Sequence, residues 1–381
     1  MRVLLHAVYY LPEVGGMESH VSGLAEGLVA RGHEVRIVTS RSRPGLSLEE
    51  EVGGVRIRRC WMPSRSAVGW TAYALASAPA TRRWAGWADV LHAQSFASVL
   101  PVGLVARGAE RPWVASFHTS HFLARARSPL WRPILAALVG WPNHALAASR
   151  EIARVALDLA PGARVEAITN GVDTDRFAPV PPSLQPRNGE RRIVVPRRLF
   201  RKNGVEYLIR AMPEILGRVP GARLVLVGDG PERPALEALA QRTGTGNAVE
   251  FLGARPHEEM PGLLCSGEIA VFPSLMEATS VAALEAMACE RPVVATAVGG
   301  LTEIVNAGVG ALVRPGDPSA LAEGVVRLLE TSGLADMGKG ARERVVARWS
   351  NAQLVGRHLE IYEDLLAGRD VREPRPEAGA R

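Results

Sequence analysis

The sequence predicts an α/β protein of two Rossmann-like domains, each a doubly wound parallel sheet, facing each other across a cleft. Short β-branched runs alternate with longer helical patterns almost throughout the chain. A polar, proline-rich break interrupts the alternation once, after which it restarts. The length of 381 residues, 47% apolar and 22% charged, exceeds one compact domain and suits two. The same composition excludes a disordered or low-complexity chain.

In the first half the candidate strands are Val3–Val8, Glu34–Thr39, Val55–Arg59, Asp89–His92, Trp113–Phe117, Ala145–Ala148 and Val165–Thr169. Helical periodicity marks Met17–Ala30 and Ala97–Arg107, and Arg31-Gly32 stops the first of these. The break, FAPVPPSLQPRNGE at 177–190, reads as a linker. Strands then resume at Arg192–Pro196, Arg223–Gly228, Ala248–Leu252, Glu268–Pro273, Pro292–Ala295 and Gly310–Val313, with helices over Val205–Val219 and Ala278–Ala288. The domains are therefore expected at 1–176 and 191–349, followed by a last helix at 350–366 and a frayed polar tail at 367–381.

Charge is unevenly placed. Residues 1–180 hold 20 Arg, no Lys and 14 acidic residues, so the whole net charge of +6 lies there. Arg56, Arg58, Arg59, Arg65, Arg82 and Arg83 interleave with Trp61, Trp70, Trp84 and Trp87. Indole and guanidinium together suit a lipid headgroup, which predicts a peripheral contact with anionic membrane or an anionic acceptor. A solvated face over buried indoles is the competing reading. No nucleic-acid motif accompanies the charge. Three scattered cysteines without a CxxC pair argue against a disulfide scaffold or zinc site and fit a reducing compartment. No apolar run approaches the roughly 18–20 residues of a membrane span, and MRVLLHAVYY reads as a buried strand. The expected location is cytoplasmic, with a peripheral position at the inner face of the membrane.

Four segments carry candidate chemistry. PEVGGMESH (12–20) lies between the first strand and helix, where Gly15 and Gly16 let backbone N–H groups approach an anion; a plain tight turn looks the same. No GxGxxG follows the first strand, which removes the dinucleotide fingerprint. SLMEATSVAALEAMACERPVVATAVGG (274–300) places Glu277 just before a helix and Glu285 within it, about 12 Å apart at most if the helix starts beside Glu277. The free N–H groups near Thr279, Ser280 and Val281 suit a diphosphate, with Glu277 on sugar and Glu285 on ribose hydroxyls. Glu285 lies in the otherwise apolar run Val281–Ala288, so it needs a partner.

RRLFRKNG (197–204) holds one of only two lysines, Lys202 and Lys339, in a chain with 43 Arg. Lys202 with Arg197 or Arg198 would neutralise a leaving diphosphate; surface charge is the plain alternative. LVLVGDGPERPAL (224–236) runs a strand into a Gly-rich turn at Gly228, weak support for a nucleotide. Asp173-Thr174-Asp175 matches a metal–diphosphate pattern but reads as a turn beside the linker. His118 ends a strand, and His121 competes with it.

In this order, these segments resemble the family 4 retaining glycosyltransferases of the GT-B fold (glycosyl transferases group 1), from Met1 to about Leu366. PEVGGMESHVSGLAEGLVARGHEVRIVTS, ITNGVDTDRFAP, LVLVGDGPERPAL, VEFLGARP and EATSVAALEAMACERPVVAT carry the likeness. The resemblance implies retaining, same-face transfer of a sugar from a nucleotide diphospho-sugar to a hydroxyl acceptor, without a cofactor or essential metal. It implies that Glu285 binds ribose and Glu277 the sugar, with Thr279, Ser280 and Val281 around the diphosphate. It implies that Gly15 and Gly16 contact the donor, that His118 is the active-site histidine, and that the final helix crosses back to the first domain. Domain closure would expel water. One departure stands out: the family places its lysine five residues after the arginine, whereas Lys202 follows Arg198 by four and Arg197 by five.

A nucleotide-sugar epimerase of the same fold would need no acceptor, and a non-catalytic sugar-nucleotide-binding protein would not need both glutamates and the basic pair. The acceptor is expected to be lipid-linked, a polysaccharide or a small molecule, with the anionic character that the Arg/Trp stretch suggests.

Overall fold

The computed structural model describes residues 1–13, 15–118, 120–185 and 187–372, with the Ser120 side chain also excepted. Most of the tail expected to fray, 373–381, lies outside the described residues. Contacts divide the chain into two compact units, Met1–Gly171 with the chain from Asn351 onward, and Val172–Ser350.

In the first unit the described strands are β1 (Arg2–His6), β2 (Glu34–Ser40), β3 (Glu49–Val52), β4 (Val55–Cys60), β5 (Val90–Ala93), β6 (Trp113–Phe117), β7 (His144–Ala147) and β8 (Val165–Ala167). They form one sheet in the order β3-β4-β2-β1-β5-β6-β7-β8. Every pairing is parallel except β3 with β4. Helices cover both faces, so the central strands read as continuous apolar runs rather than alternating ones. Val3, Leu4 and Leu5 of β1 are fully buried.

β3 was not expected, because its sequence is EEEV. Its glutamates hold an edge position by pairing with the neighbouring strand: Glu49 with Arg58 and Glu50 with Arg59 at 2.6 Å each, and Glu51 with Arg56 at 3.6 Å. These pairs also use much of the arginine excess. Arg59 is only 2% exposed, Trp84 is buried, and the Arg36 guanidinium lies 3.9 Å from the Trp87 ring centre. Trp70 donates its indole N–H to Tyr9 Oη at 2.9 Å. Of the four tryptophans in the stretch, Trp61 is the exposed one, at 64%.

In the second unit β9 (Arg191–Pro196), β10 (Ala222–Val227), β11 (Val249–Gly253), β12 (Ile269–Phe272), β13 (Val293–Thr296) and β14 (Gly310–Val313) form a parallel sheet ordered β11-β10-β9-β12-β13-β14. The crossing into this unit falls at Gly171/Val172, earlier than the Pro-rich stretch expected to be the linker. That stretch packs onto the second unit instead. Phe177 is 1% exposed in its core, and Ser183 N and Leu184 N donate to Gly262 O at 3.0 Å and Ser266 Oγ at 2.9 Å. Missing apolar periodicity therefore signalled irregular backbone, not freedom.

The return crossing brings the helix Asn351–Leu366 to the first unit. There Arg357 forms a two-pronged bond to Glu166 at 2.8 Å, and Tyr362 Oη lies 2.6 Å from His92 Nδ1. Among the described residues, no helix is long and apolar enough to cross a membrane.

Candidate active site

In a doubly wound sheet, ligands dock beyond the carboxyl ends of the strands, where the strand order reverses. That reversal lies between β1 and β5 in the first unit and between β9 and β12 in the second. The candidate residues cluster at these points.

Beyond β1, the chain turns through Gly15, the N-cap of the helix Gly16–Val29. Asn170 Nδ2 donates to Gly16 O at 3.2 Å, and Glu13 anchors the preceding turn. Glu13 is 7% exposed and accepts from Arg43 Nε at 2.7 Å and Ser42 Oγ at 2.8 Å, with Arg65 at 2.7 Å. Arg43, aided by Arg65 and Ser42 against the cost of burial, holds this carboxylate down to about 2. Sequence reading passed over Glu13 because nothing local marks its partners.

His118 follows β6, and Gln94 follows β5 on the adjacent strand. Gln94 Oε1 lies 2.9 Å from His118 Nε2; a carbonyl acceptor assigns the proton to Nε2 and leaves Nδ1 a buried acceptor with no hydrogen bond in reach among the described residues. Burial pushes the His118 imidazolium down to about 4, so the ring is neutral near pH 7. His20 packs against it with ring centres 4.4 Å apart. His121 is exposed on the next helix, edge-on to Trp70 at 6.3 Å.

In the second unit, the turn after β9 separates the two arginines. Arg197 Nη2 donates to Glu277 Oε2 and Ser274 Oγ at 2.5 Å each and to Asn203 Oδ1 at 3.0 Å. Arg198 is exposed, its guanidinium 5.7 Å from the Phe200 ring centre, with no carboxylate paired to it among the described residues. Lys202 sits in the 3₁₀ turn Arg201–Asn203, and its carbonyl accepts from Leu275 N at 2.8 Å. This bond staples the turn to the loop bearing Glu277. Partial desolvation lowers the Lys202 pKa; Glu277 opposes the shift, while Arg198 and Arg197 add to it. A lysine in that company is poised to meet an anion.

Two glycines permit this packing. Gly228 has φ +143°, and a Cβ there would stand 2.2 Å from Arg197 O. Its evident task is thus to let β10 approach the Arg197 backbone. Gly299 has φ +48°, and its Cβ would stand 1.7 Å from Glu277 O.

The helix after β12 begins at Val281, later than the sequence suggested, with Ser280 as N-cap accepting from Ala283 N at 3.4 Å. Glu277 consequently lies in the loop, not beside a helix start, and helical rise does not set its separation from Glu285. The loop is extended because its backbone is bonded elsewhere: Thr296 Oγ1 donates to Ser274 O at 2.6 Å and Gly300 N to Ala278 O at 3.1 Å. The first N–H groups of the helix, from Val281 onward, have no intrahelical acceptor. Thr279 Oγ1 is buried beside them without a partner among the described residues. Glu285, 8% exposed, has the partner its burial demands: His257 Nε2 lies 2.9 Å from its Oε1.

Gln94, Asn203, Ser274 and His257 were missed from sequence; each lies just past a strand or in a turn, a position that alone is too common to single them out. The Asp173 motif is a turn, Oδ1 accepting from Asp175 N and Arg176 N at 3.1 and 3.0 Å.

The two-sheet fold and comparison with known proteins together define the class, a glycosyl-transferring enzyme. The profile described as Glycosyltransferase Family 4 matches residues 14–176, and that described as Glycosyl transferases group 1 matches residues 190–331. The chain belongs to this family of glycosyltransferases and has the GT-B fold. An uncharacterised glycosyltransferase of Methanocaldococcus jannaschii is 29% identical over 95% of this chain and 98% of its own. Sucrose-phosphate synthase from Thermosynechococcus elongatus superposes with TM-score 0.84 at 24% identity, covering 96% of this chain and 99% of its own. Anabaena HepE in complex with UDP-glucose gives TM-score 0.73 at 19% identity, over 97% of this chain and all of that one (100%).

Proposed function

We propose that the protein is a retaining, metal-independent glycosyltransferase that moves a sugar from a nucleotide diphospho-sugar to a hydroxyl acceptor. The observation that carries this reading is the cation cluster after β9, Arg198 and Lys202, set beside the Glu277 loop. Those cations, with the helix entrance at Thr279–Val281, supply the positive charge that a departing diphosphate requires. UDP-glucose in the complex of HepE, which shares the fold, supports a donor of this class. Glu277 takes sugar hydroxyls and Glu285 the ribose.

In the transfer, the bond from the anomeric carbon to the diphosphate oxygen breaks as the acceptor oxygen bonds to the same face of that carbon. The acceptor proton passes to the departing phosphate oxygen. Within the first unit, His118 offers the lone pair of Nδ1 to a substrate hydroxyl, and the Gly15-Gly16 turn offers backbone N–H groups.

The acceptor in this reading is anionic or lipid-linked. On the helix Ala67–Ala85, Val68 (77% exposed), Leu75 (72% exposed) and Arg82 recur at seven-residue spacing on one face, near exposed Trp61. Such a face suits a headgroup boundary on a cytoplasmic membrane surface.

The test is a panel of UDP-, GDP- and ADP-sugars, reading release of free nucleoside diphosphate with and without cell extract as acceptor. Acceptor-dependent release, with retained anomeric configuration in the product, is expected. Lys202→Ala and Glu285→Ala should each abolish it. Wild-type turnover in both variants would overturn the assignment.

A further inference from the structure

Glu285 is the fifth residue of an eight-residue helix, Val281–Ala288, whose other residues are apolar. A carboxylate there is nearly sealed from water, and burying it without hydrogen bonds is costly. Its hydrogen-bond partner comes from outside the helix. His257, in the loop that follows β11, brings Nε2 to 2.9 Å from Oε1. A carboxylate only accepts, so His257 carries its proton on Nε2 and donates. Among the described residues no second group bonds the carboxylate, which leaves Oε2 and one lone pair of Oε1 open.

The imidazole is itself held. The buried Phe177 ring packs against it at 5.1 Å between centres. The Arg342 guanidinium then ties this frame to the helix bearing Glu285: Nη1 donates to Phe177 O at 2.9 Å and to Ala288 O at 2.6 Å. Three elements distant in sequence thus converge to orient one carboxylate.

We propose that His257 is a positioning residue for nucleotide recognition, fixing Glu285 so that its free lone pairs receive the two hydroxyls of a ribose vicinal diol. The inference rests on the donor reading above, in which Glu285 meets the ribose. His257 touches neither the sugar nor the diphosphate in this arrangement. Its contribution is to hold the carboxylate in one rotamer and to offset its burial, so the diol meets a preorganised acceptor pair rather than a mobile one.

The experiment measures binding of UDP and of 2′,3′-dideoxy-UDP by calorimetry, with the GDP and ADP pairs substituted if one of those binds the wild-type protein more tightly. The proteins are wild type, His257→Ala, His257→Gln and Glu285→Ala. Wild type should bind the ribose form about tenfold or more tightly than the dideoxy form, and Glu285→Ala should erase that preference. His257→Ala should weaken binding of the ribose form roughly fivefold to twentyfold and leave dideoxy binding unchanged. His257→Gln, which keeps an N–H donor, should recover most of the loss.

Equal weakening of both nucleotides by His257→Ala, or full retention of the diol preference, overturns the proposal while leaving the donor reading intact. If Glu285→Ala keeps the wild-type preference, the donor reading itself fails. If His257→Ala unfolds, the glutamine variant decides: intact diol preference supports a donor-dependent role, and its loss in a folded protein counts against it.

Discussion

Arg197 Nη2 stands 2.5 Å from Glu277 Oε2, and the same nitrogen reaches Ser274 Oγ at 2.5 Å. The pair is largely shielded, with side chains 10% and 16% exposed. The arginine with the expected five-residue spacing to Lys202 is therefore engaged within the protein, and its exposed neighbour Arg198 is the one with no carboxylate paired to it among the described residues. Spacing to Lys202 favoured Arg197, whereas the place before Leu199 favoured Arg198.

This division predicts opposite outcomes for two substitutions. Arg197→Met strands a buried carboxylate and should cost about 3 kcal/mol of stability, visible as a lower Tm. Arg198→Met should leave Tm nearly unchanged, within about 0.5 kcal/mol, yet weaken nucleoside diphosphate binding about tenfold. A stability loss at Arg198 with normal binding would reverse the assignment.

Gly228→Ala should destabilise the second unit by about 3 kcal/mol or more. The added carbon would meet Arg197 O at 2.2 Å, and the φ of +143° is strained for any L side chain. Chemical denaturation checks this. A native-like midpoint would show that β10 and the Arg197 backbone separate more easily than their packing implies.

The first unit should be acid-labile. Burial holds His118 and His358 down to about 4 and His6 down to about 3, while unfolded histidines titrate near about 6.5. Between those values the unfolded chain binds protons that the folded one refuses, so stability falls as pH falls. The slope is about 1.4 kcal/mol per pH unit for each such histidine. Urea midpoints should be flat from pH 8 to 7 and fall steadily towards pH 5. A midpoint unchanged at pH 5 would mean that these rings gain protons without unfolding.

Anionic liposomes should sediment the protein at low salt and release it at high salt, through Arg82, Arg83 and the exposed face of the helix Ala67–Ala85. Leu75→Glu should reduce the bound fraction severalfold without changing the fold. Absence of binding at low salt would remove the membrane from the reading of the acceptor.

Much of the architecture was legible in sequence because strand and helix periods are local. The expected strands Trp113–Phe117 and Gly310–Val313 match β6 and β14 residue for residue. The family motifs placed Glu277, Glu285, His118 and Lys202 as candidates in advance. β3 escaped because its stability comes from arginines on β4 rather than from its own residues. The Pro-rich stretch gave no local sign that it packs on the second unit, because Phe177 finds its core only across the fold.

Sequence by itself determined two parallel α/β sheets, the helix carrying Glu285 and the turn carrying Lys202, since each follows from neighbours within a few residues. Tertiary structure alone decided that Arg197 is tied to Glu277, that His257 holds Glu285, and that both sets gather where strand order reverses beside β9 and β12. The partners in those pairs stand 80 and 28 residues apart in the chain. No local propensity links residues at such separations; only the closing of the sheet brings donor and acceptor within bonding reach.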